Sequence, residues 1–258
     1  MQRRSIALAK LVPLCLLLAL FGCYGDDNRV PTGPGPAGSV PTPLPTPTPS
    51  EPFAGGTSSV GAQLYDRWWV INGGAAPTTT NPAYPTTEQS GADTWRCKEC
   101  HGWDYKGVEG AYRTGSHFTG IQGVLEARDN SSEAIGAQIK SGANHDFSEV
   151  LSDQDIANLV AFIKEGTIDM NEWIDFGSKK AMGDTANGQT LWSSNCSACH
   201  GNDGLGNAAD VPALSVDNPW ETLHKIRWGH PGTSMPSMVV NGLTTQQQVD
   251  ILAHAQTL

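Results

Sequence analysis

Two short stretches of the sequence carry the residues best suited to chemistry. WRCKECHG spans residues 95–102 and NCSACHG spans residues 195–201. Each contains two thiols followed at once by a histidine, and Cys-x-x-Cys-His is the attachment pattern of c-type haem. The thiols can bond covalently to the porphyrin, while the imidazole supplies one iron ligand. The sequence therefore predicts two covalently bound haem c groups.

Six residues are assigned to these roles. They are, for haem 1, Cys97, Cys100 and His101 and, for haem 2, Cys196, Cys199 and His200. A zinc or redox site is the alternative for a Cys-x-x-Cys pair, but two copies followed directly by His and Gly favour haem. The other two cysteines, Cys15 and Cys23, lie near the N-terminus. The predicted folded part therefore has no further cysteine that could form a structural disulfide.

The elements that must position these groups repeat along the chain. GAQLYDRWW (61–69) and NGQTLWSSN (187–195) precede the two motifs, although a segment rich in Pro, Thr and Gly delays the first motif. Each copy ends in a helical pattern, LSDQDIANLVAFIKEG (151–166) or LTTQQQVDILAHAQTL (243–258). Both begin at a Ser or Thr suited to capping and place apolar residues on one face. The pattern predicts an all-α protein with little strand.

These residues resemble the class I cytochrome c family in a tandem, dihaem form. The resemblance is close for residues 184–258, where CSACHGNDGLG and GHPGTSMP follow the family pattern, and looser for residues 58–166 because of the insertion. It implies two small cytochrome c-like helical domains, residues 58–168 and 184–258, each wrapped round a covalent haem. Residues 169–183 would connect the two domains.

The resemblance also implies a second iron ligand, usually a methionine in a glycine-rich loop before the final helix. Met235, which lies in GHPGTSMP, fits that position and is the predicted second ligand of haem 2. Met238 lies three residues further on and is the alternative, while His230 is a third candidate.

The first copy departs from this pattern, because residues 102–169 contain no methionine. The loop before its final helix reads SGANHDFSEVLS, and His145 stands where the family places its methionine. Imidazole is a strong haem ligand, so His145 is the predicted second ligand of haem 1. The alternatives are His117, Met170 if the chain loops back, and an iron that keeps an open position.

This ligand assignment leads to a functional prediction. A thioether favours Fe(II) more than a second imidazole does, so haem 1 should have the lower potential and pass electrons to haem 2. Two six-coordinate irons favour an electron carrier over an enzyme. The alternatives are a dihaem oxidoreductase, peroxidase-like or thiosulfate-type, and a haem-based ligand sensor. A thiosulfate enzyme of the related dihaem kind would need a distal cysteine, which the sequence does not offer.

The N-terminus predicts export. Residues 1–22 begin with basic side chains and continue with LVPLCLLLALF, an apolar run too short to span a bilayer. The run ends just before Cys23, which resembles a bacterial lipoprotein signal whose cysteine becomes acylated. An ordinary secretory signal is the alternative. Residues 23–57 are rich in proline and are predicted to be a disordered tether that holds the folded part off the membrane.

The net charge of the chain and its predicted export signal together limit where the protein is located and which partners it can have. The chain has 16 Lys and Arg against 26 Asp and Glu, a net charge of −10. This balance argues against nucleic acid and favours electron donor and acceptor proteins with basic surfaces. The predicted location is a bacterial membrane, with the lipid-anchored protein facing the periplasm or the cell surface. Tyr24 stands where some bacteria use Asp for inner-membrane retention, which favours the outer membrane.

Overall fold

A computed structural model describes residues 52–258 apart from Thr87 and Ala208. These residues belong to one compact unit, Thr48–Leu258. The predicted export signal, the predicted lipidation site Cys23 and nearly all of the predicted tether lie outside the described residues. Within the part that is described, no helix is long and apolar enough to cross a membrane.

The described residues form nine α-helices and no strand, which confirms the predicted all-α fold with two cytochrome c-like parts. In chain order the helices are α1 (Ser58–Ile71), α2 (Cys97–His101), α3 (Ser132–Ser141), α4 (Asp153–Ala161), α5 (Thr185–Asn195), α6 (Ser197–His200), α7 (Val211–Asp217), α8 (Pro219–Trp228) and α9 (Thr245–Ala255). The short helix α2 spans the whole first motif, and α6 carries the second motif except for Cys196, which directly precedes the helix. The longer helices around them therefore determine where the thiols and histidines lie.

The described chain has two halves, the first from α1 to α4 and the second from α5 to α9. In each half, the first long helix crosses the last one at a glycine. Gly61 on α1 meets α4 so closely that a Cβ would lie 1.9 Å from the carbonyl oxygen of Asn158. Gly188 on α5 meets α9 in the same way, with 1.9 Å to the carbonyl oxygen of Asp250. A side chain at either glycine would force the two helices apart. The repeated glycine therefore allows the close helix crossing that lies next to each Cys-x-x-Cys-His motif.

Local hydrogen bonds fix where the final helices begin. The Ser152 hydroxyl accepts from the backbone N–H of Asp155 at 3.1 Å, and the Asp155 carboxylate accepts from the Ser152 N–H at 3.0 Å. Thr244 and Gln247 make the same reciprocal pair at the start of α9. These are capping boxes, as the sequence pattern predicts.

The two halves share a continuous core. Helix α8 of the second half lies against α1 and against the π-helical turn Phe162–Gly166 that extends α4. The Gln63 side chain donates to the carbonyl oxygen of Trp228 at 2.9 Å, and the Arg227 guanidinium donates to that of Gly166 at 3.2 Å. Met170, in the predicted connection, is fully buried. The halves are therefore packed against each other as well as joined by the chain.

Candidate haem sites

The first motif opens onto a cavity of about 630 Å³ in the first half. Cys97, Cys100 and His101 on α2 line one side, and His145, in the loop between α3 and α4, lines another. Apolar side chains complete the wall, namely Ile121, Val124, Ile135, Ile139, Phe147, Leu151, Leu159 and Ile163. An apolar chamber with one cysteine pair and two histidines has the donor set that a covalent haem requires.

The geometry of the two histidines fits an iron between them. The ring centroids of His101 and His145 lie 5.8 Å apart, and the ring planes differ by 6°. An imidazole nitrogen bonds a first-row metal at about 2.0–2.1 Å, so two in-line ligands hold their ring centres roughly 6 Å apart. The separation and the near-parallel planes of the two rings are therefore compatible with a metal atom held between them.

Neighbouring groups orient both rings. His101 Nδ1 lies 2.6 Å from the carbonyl oxygen of Gln122, which can only accept, so Nδ1 carries the proton and Nε2 is the free nitrogen. The Gln138 side-chain amide lies 3.2 Å from His145 Nδ1. Burial lowers the pKa of His101 to about 4 and also lowers that of His145. Both rings are therefore neutral at pH 7, as metal ligation requires.

The surroundings of the two thiols of the first motif favour their protonated form. Burial raises the pKa of Cys97 and that of Cys100 to about 12 each. The apolar setting that causes this shift is also the setting that an apolar porphyrin edge would occupy.

The other candidates for the second ligand of haem 1 lie elsewhere. His117 Nδ1 is 2.6 Å from a carboxylate oxygen of buried Glu99, and its ring stacks on Tyr112 with centroids 4.8 Å apart. Met170 is fully buried in the core. Neither side chain lines the cavity. Among the described residues that were candidates, His145 is the one that the fold brings to His101.

The insertion before the first motif forms part of the cavity wall. Asn81 and Ala83 line the cavity. The segment is fastened where it meets the motif, since the Trp95 indole donates to the carbonyl oxygen of Thr79 at 2.8 Å and the Asn81 N–H donates to the Thr94 hydroxyl at 2.8 Å. The composition of this segment, rich in Pro, Thr and Gly, does not by itself predict that it lines the cavity.

A buried ion pair also borders this cavity. Arg96 lines it, and its guanidinium pairs with the Asp66 carboxylate and donates to the backbone carbonyl of Asp66 at 2.7 Å. Burial alone would raise the pKa of Asp66, but Arg96, helped by His224 and Lys225, outweighs burial and the pKa is lowered. No local pattern in GAQLYDRWW singles out Asp66 as a buried partner, since Gln63 and Arg67 in the same stretch are also polar.

The second motif lines a cavity of about 920 Å³ in the second half. Its chemistry-bearing residues are Cys196, Cys199, His200, His230, Met235 and Met238. Met238 is 4% exposed and belongs to the core, whereas Met235 is partly exposed in the loop that follows α8. Burial raises the pKa of Cys196 to about 11 and lowers that of His200. The fold thus brings every residue predicted for haem 2 to one cavity.

Two family models match the chain. Residues 88–167 match the family described as cytochrome c, and residues 183–254 match the family described as cytochrome c oxidase, cbb3-type, subunit III. Each matched segment contains one Cys-x-x-Cys-His motif and both histidines that line the cavity of that half. No curated protein and no solved structure matches the chain.

Proposed function

We propose that this chain, which the two matches support as a c-type cytochrome with two haem-binding domains, transfers single electrons between redox partner proteins. The observation that carries the proposal is the pair of cavities, each lined by the cysteines and histidine of one motif. When bound, each haem supplies an iron that cycles between Fe(II) and Fe(III). The chain's own residues hold that iron, exclude water and set its potential.

For haem 1, the proposed axial ligands are His101 and His145. Their 5.8 Å separation and near-parallel rings support this assignment, as does the neutral state that burial imposes on both. Cys97 and Cys100 would hold the porphyrin edge covalently. If His101 and His145 hold the iron together, they would leave no open coordination position for a substrate.

For haem 2, the proposed axial ligands are His200 and Met235, with Cys196 and Cys199 as the attachment thiols. Met238 also lines the cavity, but its burial and the hydrogen bond from its N–H to the carbonyl oxygen of Ile226 at 3.1 Å suit a packing role. A thioether ligand raises the potential of a haem relative to a second imidazole. Electrons would therefore run from haem 1 to haem 2.

Replacing Met235 tests this assignment together with the function. Redox titration of the wild-type protein should show two haems, with haem 1 at the lower potential. In Met235→Leu the higher-potential haem should lose its sixth ligand, lower its midpoint potential by on the order of 0.1 V, and bind carbon monoxide when reduced. Met238→Leu, a matched change in the same cavity, should leave two six-coordinate haems. If Met238→Leu opens the iron and Met235→Leu does not, the ligand assignment is wrong.

The location of the protein is a separate part of the proposal. We propose that Cys23 is acylated and that residues 23–57 tether the electron-transfer unit to a bacterial membrane, on the periplasmic side or at the cell surface. The support is the apolar run that ends just before this cysteine and the proline-rich stretch after it. The acidic chain favours partners with basic surfaces, and their association should weaken as salt is added.

Mass spectrometry of the protein from its native membrane tests the anchor. The mature chain should begin at Cys23 and carry the added mass of lipid. In Cys23→Ser the protein should be released into the soluble fraction, because a single change removes the acyl chains that hold it. An unmodified N-terminus at another residue would contradict the anchor without affecting the haem assignments.

A further inference from the structure

A thin wall of buried side chains separates the two haem cavities. Tyr65 on α1 lines the haem 1 cavity, and α8 lines the haem 2 cavity with Thr222, Lys225 and Ile226. His224 lies on the same helix and faces the first half, with its ring centroid 6.1 Å from that of Tyr65. At this point Tyr65, which lines one cavity, packs against His224 on the helix that lines the other.

A hydrogen bond crosses this wall. The Tyr105 hydroxyl and His224 Nδ1 are 2.8 Å apart, and both side chains are at most 1% exposed. Tyr105 follows His101 closely in the chain, so covalent bonds lead from the proposed iron ligand to the hydroxyl. Tyr65 adds a parallel branch, because its hydroxyl donates to the carbonyl oxygen of Gly102, next to His101, at 2.6 Å.

The surroundings of His224 are dense and hold the ring in place. Trp103 and Phe162 pack on it with ring centroids 5.0 Å and 6.0 Å away. Burial lowers the pKa of His224 to about 3, so the ring is neutral at pH 7 and places no charge between the haems. Electron tunnelling weakens steeply across gaps that neither bonds nor packed atoms bridge, and a close-packed interior leaves few such gaps.

We propose that Tyr105 and His224 form the main electron path between the two haem sites, an inference that rests on the proposed function. With both haems bound, one electron would pass from the reduced first site to the oxidised second site. No proton moves and no covalent bond forms or breaks. Both residues are positioning residues, because they keep α8 in hydrogen-bonded contact with the first half and bridge the wall without being oxidised themselves.

Rapid electron injection into the complete, haem-loaded protein tests this path. A photoexcited ruthenium complex reduces one haem, and absorbance follows the redistribution of the electron between the two haems. Tyr105→Phe removes a single oxygen atom and is expected to slow redistribution several-fold while both midpoint potentials stay at wild-type values. His224→Leu should slow it at least as much, and His224→Gln, which keeps a hydrogen-bonding group, should recover part of the rate.

Tyr112→Phe is the matched control. Tyr112 is also buried, its hydroxyl has no hydrogen-bond partner among the described residues, and it stacks on His117 instead. Its replacement should leave the inter-haem rate unchanged. A wild-type rate in Tyr105→Phe at wild-type potentials would overturn the path, even if His224→Leu loosens the contact between the halves. Failure of the proposed function would show differently, as wild-type protein in which no electron passes between two haems.

Discussion

Replacing His145 with methionine is expected to raise the midpoint potential of haem 1 by on the order of 0.1 V, part of the range of about 0.8 V over which axial ligands tune haem potentials. The reason is that a thioether stabilises Fe(II) more than an imidazole does. Methionine is also long and flexible enough to adapt to the cavity that His145 now lines. Spectroelectrochemical titration of the variant, with haem 2 as the internal reference, measures the shift.

A second variant distinguishes the loss of an iron ligand from a non-specific structural effect of the substitution. His145→Ala should leave haem 1 with an open position, a high-spin electron paramagnetic resonance signal and binding of carbon monoxide. His117→Ala is the matched control, because His117 was the other histidine candidate and its ring instead meets Glu99 and Tyr112. We expect His117→Ala to keep a low-spin haem 1. A high-spin haem 1 in His117→Ala, with a low-spin one in His145→Ala, would reverse the assignment.

Replacing Asp66 with alanine is expected to destabilise the folded protein by as much as about 3–5 kcal/mol, because it removes the buried carboxylate that pairs with Arg96 and leaves the guanidinium only the exposed Asp93 carboxylate at 3.2 Å. Asp66 is 1% exposed and Arg96 is 9% exposed, so the lost pair is largely shielded from bulk water. A loss of this size is a large fraction of the stability of an ordinary domain. Chemical denaturation of the haem-loaded protein, followed by the haem absorbance, measures it.

The exposed pair Lys179–Asp217 provides the control. Its Nζ and Oδ1 atoms are 3.8 Å apart, and both side chains are largely in solvent. Asp217→Ala should therefore change the free energy of unfolding by less than about 1 kcal/mol. If Asp66→Ala and Asp217→Ala lowered the free energy of unfolding equally, burial of the Asp66–Arg96 pair would make no extra contribution to stability.

The same pair gives a pH dependence with a defined sign. Arg96 holds the pKa of folded Asp66 below its usual value despite burial, so the carboxylate binds protons more weakly in the folded chain. Its stabilising contribution is complete above the unfolded pKa of about 3.9 and is lost as pH falls through the folded pKa. The difference in stability between wild type and Asp66→Ala should be constant from pH 7 to about pH 5 and narrow below pH 4. A difference that grows on acidification would contradict this.

Features that depend on neighbours in the chain could be predicted from the sequence. The spacing of each Cys-x-x-Cys-His motif limits what the thiols and imidazole can bind, whatever surrounds them. The capping boxes at Ser152 and Thr244 form between residues three apart, so the pattern of side chains specifies them directly. The all-α fold follows from the same local patterns, because helical periodicity is a property of short segments.

Features that join distant segments could not be predicted in this way. The Asp66–Arg96 pair joins α1 to the residue before the first motif, and the Tyr105–His224 bond joins residues 119 positions apart in the two halves. Nothing in the local sequence around His224 predicts a buried ring at the boundary between two haem cavities. The insertion likewise gave no sign that Asn81 and Ala83 would line the first cavity.

The sequence by itself thus determined the two Cys-x-x-Cys-His motifs, the helical class and the shortage of methionine in the first half. Only the tertiary structure decided which candidate faces His101, because the packing of α3 against α4 carries the loop with His145 into the cavity. His117 is directed instead to Glu99, a buried carboxylate inside the WRCKECHG stretch. The physical reason is that ligand type is a property of single residues, whereas the meeting of two ligands depends on how distant helices pack.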